Sequence, residues 1–412
     1  GALCTVAAAP LLTYQGDGFG GMWAGTCLDY RAIYLSFGFE AIDDRVARRE
    51  VMGRALDWLV SPRPAAGLEL KPSAQTRIGP PGSVVTHALR VRNLGQAASA
   101  DTVGITLDGA SWATQLSAPS LSLASCTSAT VVVTVTVPFS AGWDARDAVT
   151  LSARSSLSPT LVETAVLTSK APAPVLLVDD DRWYDQEDKY QAALAGRGLA
   201  YDYWSTGRID GNSPRGGPPS DVLHRYPAVV WFTGYDWYAP VTAEEEAALT
   251  AYLDAGGRLF LSSQDFLYYH HDGPFSRDYL GVITYTEDVT PTLAWGVPGD
   301  PVGDRLGPYP LDYPFRNWSD ALLPAPDTAV SFRDQERRPI ALARHRADAD
   351  YRTVFLSFPF ETLPASGRAE VMERAVGWLS WLGSSTFVAD RDVVSGGETL
   401  TYMVVLHNDG PE

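Results

Sequence analysis

Hydrophobic and polar positions alternate with a period of two between about residues 63 and 170. The run from Thr130 to Val137, next to Pro138, consists of Val and Thr with valine at every second position, and further strand-like runs occur at Val84–Arg92 and Val149–Ala153. Gly, Pro, Ser and Asn separate these runs. A period of two places successive side chains on opposite faces of a strand, so that one face can be buried. Several short strands with no helical pattern between them predict a β-sandwich over residues 63–170.

The pattern changes after Ala171–Pro174, where alternating prolines indicate a stiff, extended linker over residues 171–174. Short, continuous apolar runs then alternate with helical patterns. Strands are predicted at Val175–Val178, Tyr201–Trp204, Ala228–Phe232, Arg258–Leu261 and Thr353–Phe358, and helices at Gln186–Ala195, Thr242–Ala255 and Arg368–Leu379. Fully apolar strands separated by helices favour a parallel sheet that is covered on both faces. Residues 175–383 are therefore predicted to form a complete α/β domain around a doubly wound parallel sheet.

Three segments of the chain occur twice. Asp29–Glu40 returns as Asp350–Glu361, Glu50–Leu59 returns as Glu370–Leu379, and Gly82–Gly95 returns as Gly397–Gly410. Because the distance between the copies is nearly constant, the repeating unit is predicted to be a whole two-domain module, and the chain a window cut from a tandem array. Residues 1–62 would then be the C-terminal part of a truncated α/β domain, and residues 384–412 the start of a second sandwich.

The chain is acidic. Its 412 residues carry a formal net charge of −17, and 45% of them are hydrophobic. Nucleic acids and anionic membranes attract basic surfaces, so neither is an expected partner. No apolar run approaches the ~18 residues that a membrane-spanning helix needs, so no membrane insertion is expected in this window.

The three cysteines are Cys4, Cys27 and Cys126. They lack the paired spacing of a zinc site, so no zinc is expected. Cys4 and Cys27 lie on neighbouring strand-like segments and could form a disulfide in an oxidising compartment, which would leave Cys126 alone. Buried free thiols explain the same residues equally well.

Ligands of open parallel sheets bind beyond the carboxyl ends of the strands. Three loops leave that edge, at Asp179–Tyr184, Gly234–Tyr238 and Ser262–Phe266, and the last continues through Tyr268 and Tyr269. All three are rich in aromatic rings and carboxylates. The candidate ligand-binding residues are Asp180, Asp181, Trp183, Tyr235, Trp237, Gln264 and Asp265, with Tyr184 and Tyr238 beside them. Such rings suit a sugar or a peptide, although they could equally cover the sheet.

The β-rich segment resembles immunoglobulin-like modules that accompany catalytic domains in secreted bacterial glycosidases and peptidases. The resemblance rests on Ser111–Ala113, Leu121–Leu123, the strand that ends at Pro138, and Asp147–Ser155. It implies an immunoglobulin-like β-sandwich and an extracellular or cell-surface location. The tail from Val393 to Pro411 resembles the opening strands of a repeat module of bacterial surface proteins.

The α/β segment resembles the class I glutamine amidotransferase-like superfamily, which has a flavodoxin-like sheet. The resemblance is one of layout and covers about residues 175–382. Where the family carries its nucleophilic cysteine, this chain has Leu261–Asp265. Where the family has His-Pro-Glu, it has Phe358–Glu361 and, in the other copy, Phe37–Glu40. Thiol attack needs a thiolate and a base. Amidotransferase activity is therefore not expected.

Two other chemistries remain open at the same edge. Ser263 could be a nucleophile with His270 or His271 as its base and Asp265 or Glu361 as the orienting carboxylate, although no Gly-x-Ser-x-Gly motif is present. Asp179, Asp180, Asp181 and Asp265 could hold Ca²⁺ or Mg²⁺, or could simply cap helices and bind loop amides.

The sequence therefore predicts a non-catalytic repeat region of a large secreted or surface bacterial protein, acting as an adhesion, spacer or ligand-binding module. The expected partners are neighbouring modules of the same chain and a glycan or peptide, and no cofactor is expected. The alternatives are a hydrolase in the strand-end crevice and a glycan-binding module. The number of repeats and the oligomeric state stay open.

Overall fold

The computed structural model describes residues 8–13, 19–24, 27, 30–62, 64–207, 216–346, 349–380, 386–389 and 402–405. Strands account for 37% of the structure and helices for 21%. The chain divides into two compact units, residues 1–171 and residues 172–412. The finer domain boundaries drawn from the sequence stay a prediction.

The first unit contains an N-terminal part and a β-sandwich. The N-terminal part comprises β1 (Ala8–Thr13), β2 (Phe19–Ala24), β3 (Ala32–Leu35), a 3-10 helix (Phe39–Ala41) and α1 (Arg45–Val60). The sandwich comprises β4 (Leu68–Lys71), β5 (Ala74–Ile78), β6 (Val84–Asn93), β7 (Asp101–Asp108), β8 (Ala113–Leu116), β9 (Ser120–Leu123), β10 (Ser128–Thr136), β11 (Arg146–Ser155) and β12 (Val162–Lys170). Its two sheets have the strand orders β4-β6-β10-β8 and β5-β12-β11-β7-β9.

Residues at every second position of the strands form the core of the sandwich. Val131, Val133 and Val135 of β10 are fully buried, while Val132 and Thr134 between them are only partly buried. They join one hydrophobic cluster with Leu89 of β6 and Leu151 of β11, which belong to opposite sheets. The predicted β-sandwich is confirmed.

A disulfide joins Cys27 of the N-terminal part to Cys126 of the sandwich. Cys126 lies in a tight turn between β9 and β10, where it adopts a φ of +61°, and the two Cα atoms are 5.4 Å apart. The suggested pairing of Cys27 with Cys4 is therefore wrong. Pairing by neighbouring segments missed the bond because the partners are separated by 99 positions. Cys4 lies outside the described residues.

The second unit is built on one large sheet. Its strands are β13 (Val175–Asp179), β14 (Tyr201–Ser205), β15 (Ala228–Gly234), β16 (Arg258–Ser263), β17 (Val282–Thr286), β18 (Leu293–Gly296), β19 (Tyr309–Pro310), β20 (Ala321–Pro324), β21 (Thr328–Arg333), β22 (Pro339–His345) and β23 (Arg352–Leu356). Its helices are α2 (Glu187–Ala195), α3 (Ser220–Leu223), α4 (Ala243–Asp254), α5 (Phe266–His270), α6 (Pro274–Asp278) and α7 (Ala365–Leu379), with a 3-10 helix at Phe360–Thr362. A separate pair, β24 (Thr386–Ala389) and β25 (Tyr402–Val405), follows.

Nine of the eleven strands β13 to β23 form the large sheet, in the order β14-β13-β15-β16-β23-β22-β21-β18-β19, while β17 and β20 pair with each other in a separate antiparallel sheet. The first five run parallel to one another, and the last four extend the sheet in antiparallel fashion. The predicted flavodoxin-like, doubly wound parallel sheet is therefore wrong. The sheet is mixed, since antiparallel strands continue it beyond β23. The sequence did not predict the strands between residues 282 and 345, because they are short and their pairing contains register shifts.

Burial on both faces explains the continuous apolar runs. Val230 and Phe260 point into the cluster that contains α2 and α7, while the adjacent Val229 and Leu259 point into the cluster that contains α4, α5 and α6. The helix α4 begins at a capping box in which Thr242 and Glu245 exchange hydrogen bonds. With helices on both faces, the carboxyl ends of β13, β15 and β16 open at one edge of the sheet.

The two copies of the repeated helix have different surroundings. Met372, Val376 and Leu379 of α7 are buried, whereas the matching Met52, Leu56 and Leu59 of α1 are exposed. α7 packs on the sheet and on α2. The burial of this helix therefore depends on its neighbours and not on its own pattern. No helix of the described residues is long and apolar enough to cross a membrane.

The disulfide generates a direct test. Non-reducing peptide mapping should recover a peptide that links Cys27 to Cys126. Replacing Cys126 by Ser should lower the free energy of unfolding of the first unit by roughly 2–4 kcal/mol, because the bond closes a long loop in the unfolded chain. Cys4→Ser is the control and should leave both properties unchanged. A peptide that joins Cys4 to Cys27 would contradict the assignment.

Candidate functional site

A cavity of about 430 Å³ lies beyond the carboxyl ends of β15 and β16. Four segments line it: the loop after β15, the segment after β16, the segment after β17 and the segment before β20. The lining residues are Trp237, Asp265, Tyr268, Glu287, Asp288, Arg316, Trp318 and Asp320. Pockets of roughly 300–1,000 Å³ with a few convergent polar groups are typical of small-molecule sites. The cavity is therefore the candidate functional site.

A sharp turn at the end of β15 presents Trp237. Gly234 has a φ of +54°, and a Cβ atom there would lie 2.7 Å from Oε1 of Glu361, so a larger residue would strain the backbone and displace Glu361. Oδ1 of the buried Asp236 accepts hydrogen bonds from the backbone N–H of Tyr238 (2.9 Å) and from Arg182 (3.1 Å). These bonds fix the loop while Trp237 stays 45% exposed at the cavity.

Gln264 connects the end of β16 to the loop that precedes β20. Its Nε2 donates to Oδ2 of Asp265 (2.8 Å) and to the carbonyl of Arg316 (3.3 Å), and its Oε1 accepts from the backbone N–H of Trp318 (3.2 Å). Gln264 is buried beneath the cavity. It therefore orients Asp265 and Trp318 and does not itself line the cavity.

Asp320 is 2% exposed and is held by the end of β23. Its carbonyl accepts a hydrogen bond from Oγ of Ser357 (2.7 Å), and its Oδ1 accepts from the backbone N–H of Asp288 (3.2 Å). Its Oδ2 is buried and has no hydrogen-bond partner among the described residues. An unpartnered carboxylate oxygen is costly to bury, so this atom marks a place where a donor is missing.

The surroundings of the cavity favour the protonated form of two of its carboxyl groups. The pKa of Asp265 is raised to about 7. Burial is the main cause, the hydrogen bond from Gln264 partly lowers the pKa, and repulsion from the neighbouring Asp288 and Asp236 raises it. Burial also raises the pKa of Asp320 to about 8, with Asp265, Asp288 and Glu287 adding repulsion. Desolvation and repulsion from neighbouring carboxylates thus favour the neutral, protonated form of both carboxyls.

A second buried acidic cluster lies beside the cavity, at the ends of β13 and β23. Burial raises the pKa of Glu361 to about 7, although Tyr190 donates a hydrogen bond to its Oε2 (2.7 Å). Burial and the neighbouring Asp179 raise the pKa of Asp181. Among the described residues, Oε1 of Glu361 and the hydroxyl of Tyr235 lack hydrogen-bond partners. None of the residues of this second cluster lines the cavity.

The structure separates the predicted ligand-binding residues. Trp237 and Asp265 line the cavity, as does Tyr268 from the same aromatic group. Asp180 points into the sheet, where it accepts hydrogen bonds from Thr206 (3.0 Å) and Trp231 (3.2 Å). The remaining predicted residues lie elsewhere: Asp181 and Tyr235 are buried, Gln264 lies beneath the cavity, and Trp183 stacks on Arg182 at 3.8 Å.

The structure does not assemble a serine nucleophile. Ser263 is fully buried, and its Oγ accepts a hydrogen bond from Thr233 (2.6 Å). Nδ1 of His270 lies 2.8 Å from Glu246, and its Nε2 lies 2.7 Å from the carbonyl of Val241. His271 contacts Tyr285 at 3.3 Å. Within the described part of the chain, no hydrogen bond links Ser263 to either histidine.

The suggested metal ligands do not form a site either. Asp179 accepts a hydrogen bond from the hydroxyl of Tyr203, and Asp180 is satisfied inside the fold. Over the described ranges, no group of three or more His, Cys, Asp or Glu residues has the arrangement of a metal site.

Five of the lining residues were not predicted as site residues from the sequence: Glu287, Asp288, Arg316, Trp318 and Asp320. They follow or precede the strands that the sequence did not reveal, β17 and β20. The segment carries one local signal, the acidic pair Glu287 and Asp288, where Asp288 adopts a φ of +54°. A polar residue at positive φ in an acidic turn is a sign of a constrained loop, but it does not identify a partner.

Comparisons with known proteins do not identify a family. No family model matches the chain, and no curated protein matches it. Among solved structures, a Bacteroides uniformis protein described as ThuA-like is 13% identical over 50% of this chain and 90% of its own, with a TM-score of 0.33. An exo-β-1,4-mannosidase from Opitutaceae bacterium strain TAV5 is 16% identical over 51% of this chain and 35% of its own, with a TM-score of 0.32. The PapD-like domain 7 of human CEP192 is 16% identical over 27% and 88%, with a TM-score of 0.22. Likenesses this weak transfer no function to the chain.

The raised pKa values predict an unusual pH dependence of stability. Since folding raises the pKa of Asp265 to about 7 and of Asp320 to about 8, the folded chain binds more protons than the unfolded chain above pH ~4. Stability therefore falls as pH rises through this range. The melting temperature of the second unit should be higher at pH 6 than at pH 8.

Asp320→Asn should raise the melting temperature at pH 8 by roughly 2–6 °C and flatten its pH dependence, because a neutral amide removes the repulsion. Asp188→Asn, at an exposed position of α2, is the matched control and should behave as wild type. Parallel pH profiles for wild type and Asp320→Asn would contradict the electrostatic description of the cavity.

Proposed function

We propose that the second unit is a non-catalytic module that binds a polyhydroxylated ligand, a glycan, in the cavity lined by Trp237, Trp318 and Asp320. The observation that carries the proposal is the convergence of three aromatic rings and two buried carboxyls on one cavity of about 430 Å³. Sugars present apolar ring faces together with hydroxyl groups. A site for them therefore needs flat aromatic surfaces and fixed hydrogen-bonding groups.

The aromatic side chains supply the flat surfaces. Trp237 is 45% exposed and Tyr268 is 54% exposed, although both belong to loops that are anchored by buried neighbours. Trp318 is half-buried in the same wall. Rigid rings lose little conformational entropy on binding, so an exposed Trp or Tyr at a cavity stabilises a complex at low cost.

The carboxyls supply oriented hydrogen bonds. Asp265 is fixed by Gln264, and Asp320 is fixed by the end of β23 through Ser357. The Oδ2 of Asp320 is buried and lacks a partner within the described residues. A ligand hydroxyl that reaches it through a local shift of the cavity wall would satisfy this atom.

Binding without catalysis is the better interpretation of the same edge of the sheet. Ser263 is buried against Thr233, and His270 bonds to Glu246 and to backbone carbonyls. The residues proposed for hydrolysis are thus engaged in structural contacts. We therefore assign no reaction to this unit.

The module is proposed to belong to a secreted or surface-displayed bacterial protein. The bond between Cys27 and Cys126 supports this location, because disulfides persist in oxidising compartments. The net charge of −17 and the repeated segments suit an extracellular array of modules whose partners are its own neighbours and a glycan.

Screening on a glycan array followed by calorimetry tests the proposal. Wild type should bind a defined group of glycans without cleaving them. Trp237→Ala and Trp318→Ala should each weaken binding by about ten-fold or more, because each removes a stacking surface. The matched control is Trp295→Ala, an exposed tryptophan of β18 that lies outside the cavity, and it should bind as wild type.

Two outcomes would contradict the proposal. One is a featureless array for the folded wild-type protein. The other is binding that survives both substitutions in the cavity, since the ligand would then occupy another surface. Release of free sugar during calorimetry would contradict the non-catalytic assignment alone.

A further inference from the structure

The charges around the cavity are unbalanced. Four of its lining residues carry carboxyl groups: Asp265, Glu287, Asp288 and Asp320. Arg316 is the one cationic residue among the lining residues, and its guanidinium lies 5.0 Å from the ring centroid of Trp318. No ion pair among the described residues joins Arg316 to the four carboxyls. The cavity is therefore strongly negative whenever its carboxyls are ionised.

One of the four carboxyl groups, that of Asp320, lies in the buried wall of the cavity. Asp320 is 2% exposed, and its Oδ2 accepts no hydrogen bond from any described residue. Its other oxygen accepts from a neutral backbone N–H. A neutral hydroxyl from a ligand would satisfy this oxygen, but a cationic donor would also compensate the charge, and charge-assisted bonds are roughly twice as strong.

The aromatic lining selects the kind of cation. Trp237, Tyr268 and Trp318 surround the same space, and aromatic faces attract ammonium groups through the ring quadrupole. A divalent metal prefers a shell of oxygen ligands, and the described residues contain no group arranged for one. The lining therefore suits an organic cation that also carries an apolar ring face.

We propose that the ligand of this cavity is an amino sugar, whose free ammonium group bonds to the Asp320 carboxylate while its ring stacks on Trp237 or Tyr268. The inference rests on the proposed function and narrows it to glycans that carry unacetylated amines. It follows from the unpartnered oxygen of Asp320, the excess of carboxyls and the aromatic wall.

Proton release is a signature of this binding mode. Burial, with repulsion from Asp265, Asp288 and Glu287, keeps Asp320 largely protonated near pH 7, and its pKa is raised to about 8. The nearby Tyr285 stays neutral at this pH, since burial raises its pKa to about 12. An ammonium group beside Asp320 stabilises its ionised form, so at pH 6, where the sugar amine is already protonated, binding must expel the proton of Asp320.

The experiment is calorimetry with three tetrasaccharides of the same linkage, built from glucosamine, N-acetylglucosamine or glucose. Each titration of the full chain is repeated at pH 6, where both the sugar amine and Asp320 are protonated, in two buffers with different enthalpies of ionisation. The glucosamine tetramer should bind about ten-fold or more tightly than the other two, and only its titration should show proton release. Its affinity should fall as salt concentration rises, because the attraction is ionic.

Substitutions separate charge from shape. Asp320→Asn should reduce the affinity for the glucosamine tetramer by about ten-fold or more and abolish proton release. The affinity for any neutral tetramer that binds should change by less than about three-fold. Glu287→Gln, at an exposed position of the rim, should give a smaller loss and serves if Asp320→Asn does not fold. Asp188→Asn is the control for a distant carboxylate.

Each outcome decides between the hypotheses. Amine-dependent binding with proton release, lost in Asp320→Asn, supports the inference. Equal affinities for the glucosamine and N-acetylglucosamine tetramers overturn it and leave the glycan-binding function intact. Binding of none of the tetramers, together with binding of a lysine-rich peptide, overturns both and identifies a peptide as the partner.

Discussion

The desolvation of two carboxyl groups is the constraint on which the candidate site depends. Asp265 and Asp320 are almost fully buried beside a cavity that the chain itself does not fill. Burying a carboxylate is costly unless it is paired or hydrogen-bonded, and burial raises the pKa of both groups, with Asp265 adding repulsion at Asp320. The fold holds them there through Gln264 and Ser357, so the unfavourable placement is enforced by the sheet.

Two different parts of the fold form the walls of the cavity. The parallel strands β15 and β16 deliver Trp237 and Asp265 to one edge of the large sheet, while the segments that flank the separate strand pair β17 and β20 supply the opposite wall. The tight turn at Gly234 and the buried bond between Arg182 and Asp236 fix the first wall. Since both walls rest on buried strands, the arrangement of donors and acceptors is set before a ligand arrives, which favours binding.

The hydrophobic patterns of the sequence predicted those strands whose burial depends mainly on their own residues. The period of two over Thr130–Val137 was sufficient for the sandwich, because alternate burial is a property of a single strand. The apolar runs at Val175–Val178 and Ala228–Phe232 identified central strands for the same reason. The strands between residues 282 and 345 were not predictable, since they are short, contain bulges and take their stability from distant neighbours. The bond between Cys27 and Cys126 is likewise a property of the assembled unit.

The candidate site was predictable only in part, and Asp180 and Asp265 show why. Both follow a buried strand, and the sequence does not distinguish them. Asp180 turns inward because Trp231 and Thr206 need an acceptor, whereas Asp265 faces the cavity beside Gln264. Asp320 follows no predicted strand, yet it carries the unpartnered oxygen on which the ligand assignment rests. Direction and partnership of a side chain depend on tertiary contacts that a single sequence does not display.

A carbon-13 NMR titration of the aspartate side-chain carboxyls tests the central claim most directly, with Asp265→Asn and Asp320→Asn samples to assign the two signals. The account predicts that Asp265 and Asp320 titrate with pKa values of about 7 and about 8 in the free protein. Both values should fall when the glucosamine tetramer binds. Titration of both carboxyls near pH 4, as for solvent-exposed aspartates, would contradict the account.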